Sequence, residues 1–153
     1  MGGVYYMAKR SLLAVSPLAV GYGLNHAMLN LPIPILVIAI LGLCLLFLWG
    51  YFSYRIASRD KNPFLQACWI CAFGFLMLLL VLYQELVLGR YWFNLFGTAP
   101  QLYFLPLFAV ATTALRLSVA LFVPITQIWP YYILIWGCMF AASCAGCLKK
   151  GKA

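Results

Sequence analysis

The chain has 153 residues, 67% hydrophobic and 8% charged, with ten basic residues against two acidic ones and a net charge of +8. A soluble domain carries about 25% charged residues, so these side chains cannot cover a water-exposed surface. A nucleic-acid footprint needs a soluble basic face with interleaved polar residues, and it is excluded on the same ground.

The basic residues cluster as Lys9 and Arg10, as Arg55, Arg59 and Lys61, and as Lys149, Lys150 and Lys152, with long apolar blocks between them. That pattern predicts an all-α, polytopic transmembrane helical bundle of four or five spans in one integral membrane domain, residues 1–153, with no soluble domain. A span needs about 20 helical residues to cross about 30 Å of hydrocarbon.

The first segment, 11–29, is the weakest span, because it holds Pro17, Gly21, Gly23, Asn25 and His26. It also reads as a signal peptide behind Lys9 and Arg10, although Asn25-His26-Ala27 fits an A-x-A cleavage site poorly. Met7 opens "MAKRSLL", which resembles a natural start, so the first six residues read as an extension. Tyr6 stands where a myristoylation signal requires Ser or Thr. "NLPIP" then forms a tight connection, since two prolines in three residues do not fit within a helix.

The second segment, 34–54, is uninterrupted apolar sequence. The third, 64–88, begins with Asn62 as N-cap and Pro63 as the first helical residue. The fourth spans 101–122 and the fifth 129–148. Aromatic residues gather at the segment ends, as at a membrane interface: Trp49, Tyr51 and Tyr54; Tyr91, Trp92 and Tyr103; Trp129, Tyr131 and Tyr132.

The basic loop 55–63 is expected in the cytoplasm, in a bacterial-type cytoplasmic (plasma) membrane, and "GRYWFNLFGTAP" on the far side. Three crossings after that loop carry "LKKGKA" to the far side, against the charge rule. Either the early loops dominate the orientation and the tail lies outside, or the fourth or fifth segment does not fully cross, and Pro106, Pro124 and Pro130 mark places where the chain can break or re-enter.

Cys68 and Cys71 ("CWIC") and Cys144 and Cys147 ("CAGC") are CxxC pairs, each on one helix face. Cys68 and Cys71 are the redox candidates, with Arg116 as the cation that depth allows near them. A thiol needs such a cation or a helix N-terminus to become reactive, and otherwise packs as a small hydrophobe. Under five spans "CAGC" lies on the far side. With the tail inside, all four thiols fall on one side, as a weak metal or iron–sulfur ligand set.

Glu85 and Arg116 are the charges within spans, and such charges are expensive and often functional. Glu85 lies about 33 Å along its helix from Pro63, so Arg90, water or headgroups are its expected partners. His26, Asn25 and Asn30 share a depth with Gln84, Glu85, Arg90, Asn94 and Gln101. A His26–Glu85 pair there would be a titratable proton or cation site, and His26, Glu85 and Arg116 are the binding candidates.

There is no P-loop, nucleophile elbow, HExxH or EF-hand, and one histidine and two acids cannot furnish most hydrolase sites. No enzyme and no cofactor are expected. The leading reading is a non-enzymatic subunit, sensor input module or accessory component. Its partners are the lipid bilayer and other membrane subunits or itself. A small oligomeric proton- or cation-coupled transporter or channel, and a membrane thiol oxidoreductase, are the alternatives.

Overall fold

A computed structural model describes residues 2–58, 62–92, 94–119 and 127–152, with side chains described for 8–58, 62–92, 94, 96–114 and 127–151. All regular structure among them is helical: α1 (Gly2–Asn30), α2 (Ile35–Ile56), α3 (Pro63–Leu82, extended by a π-helical turn, Tyr83–Val87), α4 (Leu95–Val119) and α5 (Trp129–Lys152). Local chemistry accounts for the boundaries. Pro34 precedes α2 in extended backbone. The Asn62 carboxamide accepts from the amides of Phe64 and Leu65, with Pro63 opening α3.

Four helices among the described residues are long and apolar enough to cross a membrane: Ala8–Asn30, Ile35–Ile56, Pro63–Val87 and Trp129–Gly151. The 11–29 segment therefore qualifies despite Pro17, while the 101–122 segment runs on into residues outside the described ones. The bundle exposes large apolar side chains such as Phe47, Leu12 and Leu29, all more than three-quarters exposed. In water this surface would aggregate, whereas in lipid it is ordinary.

α5 packs extensively on α2 and α3, and α4 on α1 and α2, while α1 and α2 share few contacts of their own. The helices thus form a ring in which α4 is wedged into the seam between α1 and α2. Small residues permit the closest approaches. Gly146 of α5 abuts the carbonyl of Gly50 on α2, and Gly21 of α1 abuts the carbonyl of Leu102 on α4. Tyr103, Phe104, Ile70 and Ile135 fill the interior and are almost fully buried.

Hydrogen bonds fix which ends lie together. Gln66 on α3 accepts from Arg10 Nη2 of α1 at 2.8 Å and from the Ser58 amide at 2.7 Å, and donates to the Ser58 carbonyl at 3.0 Å. Lys150 Nζ sits 5.1 Å above the Tyr54 ring, near the end of α2. The described basic clusters around Arg10, Arg55 and Lys150 therefore share one end of the bundle, while Arg59 and Lys61 lie outside the described residues. The sequence leaves the side of the tail open, and the Lys150–Tyr54 contact places the end of α5 beside the end of α2, at the basic end.

Gly21 and Gly23 of α1 provide a test. A Cβ on Gly21 would overlap the Leu102 carbonyl, and one on Gly23 would meet nothing within 4 Å. Gly21→Ala should destabilise the detergent-solubilised bundle by about 1–3 kcal/mol. Gly23→Ala should leave its thermal midpoint unchanged or raise it, because alanine is the better helix former.

Candidate functional site

The polar residues of the bundle converge at three places. The first is the end opposite the basic clusters, built on the π turn. The extra residue per turn there places Gln84 and Glu85 against two different chain segments. Gln84 is fully buried. Its carboxamide accepts from the Trp92 amide at 3.1 Å and donates to the Gly97 carbonyl at 3.4 Å, which ties down the start of α4. Gln101 reaches the same Gly97 carbonyl, and Asn94 Oδ1 accepts from the Gly97 amide.

Glu85 holds the start of α5. Its Oε1 accepts from the amides of Ile128 at 2.9 Å and Trp129 at 3.1 Å, and its Oε2 from the Tyr91 hydroxyl at 2.7 Å. These amides are helix-start donors without partners inside α5, and the N-terminal dipole favours an anion. Burial, and then the bond to Glu85, push the Tyr91 hydroxyl well above the ordinary tyrosine range. The raised value means that this bond is intact below about pH 10 and is lost only as pH climbs through the folded-state pKa.

α4 and α5 thus begin at the same end, held by adjacent residues. This is why α5 can finish among the basic residues.

The second place is the α2–α3–α5 interface. Trp49 Nε1 donates to Ser143 Oγ at 2.8 Å, Ser53 Oγ donates to the Trp49 carbonyl at 2.8 Å, and Ser143 Oγ lies 3.3 Å from Ser53 Oγ and 3.4 Å from Cys71 Sγ. Ser143 immediately precedes Cys144, so this contact brings the α3 stretch that carries Cys68 and Cys71 against the α5 stretch that carries Cys144 and Cys147. Of the two placements the sequence allows for "CAGC", the structure has the one on the same side as "CWIC", near the basic end. Cys71 and Cys147 are buried, Cys68 and Cys144 half-buried, and no disulfide joins any of them. Among the described residues no group of three His, Cys, Asp or Glu side chains stands at metal-holding distance. The third place is the Arg10–Gln66–Ser58 contact already described.

The structure does not join His26 to Glu85. His26 lies on an exposed part of α1, where its carbonyl accepts from Asn30 Nδ2, and Glu85 is occupied by α5 and Tyr91 rather than by Arg90. The Arg116 side chain lies outside the described residues. Sequence reasoning missed Gln66, Trp49 and Ser143 as joints. The available signal was a glutamine in an apolar helix, one turn from a basic loop.

Compared with known families, curated proteins and solved structures, the chain matches none.

Replacing Glu85 by alanine removes a charged cap and should cost about 1–3 kcal/mol of stability. Amide exchange at Ile128 and Trp129 should accelerate in Glu85→Ala but stay near wild type in Tyr91→Phe, which leaves the cap in place. Unchanged exchange in Glu85→Ala would refute the capping role.

Proposed function

We propose that the chain is a non-enzymatic component of a membrane assembly, a small integral subunit or accessory protein that acts through helix contacts. The supporting observation is the use made of its buried polar side chains. Those among the described residues, Ser53, Gln66, Gln84 and Ser143, are each engaged in joining one part of the fold to another. Glu85 is likewise engaged as a helix cap. A transport pathway needs polar groups that face an interior space and exchange partners with a solute; here those groups hold helices.

The face best suited to a partner helix is the groove between α2 and α5, about 750 Å³, which includes Phe47, Gly50, Ala141, Ala142 and Ala145. Small residues let a neighbouring backbone come close, the commonest basis of helix association in lipid. We orient the basic end toward the cytoplasm of a bacterial-type membrane by the positive-inside rule.

The meeting of Cys68, Cys71, Cys144 and Cys147 favours thiol chemistry as a second reading. It requires the pairs to cycle between thiol and disulfide in cells, which differential alkylation followed by mass spectrometry would detect.

Ala145 is exposed, so Ala145→Trp should fold with an unchanged thermal midpoint. In native gels of mildly solubilised membranes the wild-type chain should migrate in an assembly larger than the purified chain, and Ala145→Trp should release it. If the purified chain alone carried protons or cations across liposomes, and Glu85→Gln abolished that flux, transport would replace this reading.

A further inference from the structure

The seam between α1 and α2 is filled by α4 only in part. Where α4 leaves it open, a cleft of about 210 Å³ remains, walled by Leu13, Pro17, Val20, Leu45 and Leu48 and closed by Tyr103 and Leu107 of α4. This is below the roughly 300–1,000 Å³ of pockets that enclose compact drug-sized ligands. From Leu45 to Phe52 it extends about 10 Å along α2, the shape of a slot rather than a chamber.

Its polar atoms are turned away from the space. Ser16 Oγ donates to the Leu13 carbonyl, Trp49 Nε1 to Ser143, and the Tyr103 hydroxyl to the Ala14 carbonyl. A slot whose hydrogen-bonding groups are all engaged offers nothing to water and suits hydrocarbon.

The slot continues into a wider groove of about 820 Å³ at the basic end, since Leu13, Ser16 and Phe52 line both. That groove gathers Lys9 from α1, Arg55 from α2 and Lys150 from α5, together with Tyr51 and Tyr54. Glu85, the acidic residue whose side chain is described, is at the opposite end. An apolar slot inside the membrane that opens among three cations at the interface is complementary to one kind of molecule, an anionic amphiphile.

We propose that the α1/α2 seam is a binding site for an anionic phospholipid of the basic-side leaflet, with one acyl chain in the slot and the phosphate among Lys9, Arg55 and Lys150. The ligand is the intact lipid, not free phosphate. The headgroup groove shares Tyr51 and Tyr54 with the α2/α5 groove assigned to a partner helix, but the acyl slot and the three cations lie outside that groove, so the two assignments are tested by different side chains.

The test is native mass spectrometry of the delipidated chain in mild detergent, with phosphatidylglycerol and phosphatidylcholine of identical chains. Each basic side chain near an anionic headgroup favours it roughly fivefold, so retention of phosphatidylglycerol should exceed that of phosphatidylcholine about tenfold or more. The preference should vanish in Lys9→Gln/Arg55→Gln/Lys150→Gln and persist in the charge-conserving Lys9→Arg/Arg55→Lys/Lys150→Arg. Leu48→Trp, which fills the slot from a half-exposed position, should weaken both lipids. Equal retention by the wild-type chain, a preference that survives removal of the three charges, or displacement of the lipid by glycerophosphoglycerol as readily as by intact lipid would each overturn the proposal.

Discussion

The architecture depends on two neighbouring side chains at the end of α3. Gln84 fixes the start of α4, and Glu85 fixes the start of α5. A helix start near hydrocarbon has amides that no solvent can satisfy, and leaving them bare costs several kcal/mol per group on the scale of membrane interiors. Pro130 already removes one such donor from α5, and the Glu85 carboxylate takes the amides of Trp129 and of Ile128 just before it. Because these anchors are adjacent in sequence, α4 and α5 start from the same end of the bundle. The direction of α5, the gathering of the described basic clusters at one end and the partly open seam beside α4 all follow from that geometry.

Much of this was legible in the sequence, and the unread part has a common cause. Helix existence follows from apolar length, and the start of α3 from Asn62 and Pro63, because both are local signals. The weakness assigned to α1 rested on Pro17 and its glycines. The structure places Gly21 against Leu102, so a residue that lowers helix propensity here serves packing. Under five crossings the tail announced itself as a violation of the charge rule. What holds the start of α5 could not be read locally, because it depends on the amides of Ile128 and Trp129. Glu85 stood out as a costly charge, yet two of its partners are backbone amides more than forty residues away, and amides carry no sequence signature. The His26–Glu85 pairing failed for the complementary reason. Equal depth is necessary for contact, but the face of α1 is set by tertiary packing.

The cysteines illustrate the same limit. Spacing puts each CxxC pair on one side of a helix, but only the reversed course of α5 brings the pairs into register across the α3–α5 interface. There they share space with Trp49, Ser53 and Ser143, where interhelical hydrogen bonds contribute about 0.6–2 kcal/mol each in lipid. The bundle thus spends its few polar groups as joints. Its outward surface carries the features left for recognition: a groove of small residues on α2 and α5, and an apolar seam beneath three cations on α1, α2 and α5.

The most direct test of this arrangement is the sidedness of the chain in intact vesicles. Epitopes fused at each terminus and inserted singly in the connections between α2 and α3 and between α3 and α4 should be scored for protection from protease. Both termini and the α2–α3 connection should report from the same side, and the α3–α4 connection from the other. Termini on opposite sides of the membrane would contradict the account, because α4 and α5 would then not start from the same end of the bundle.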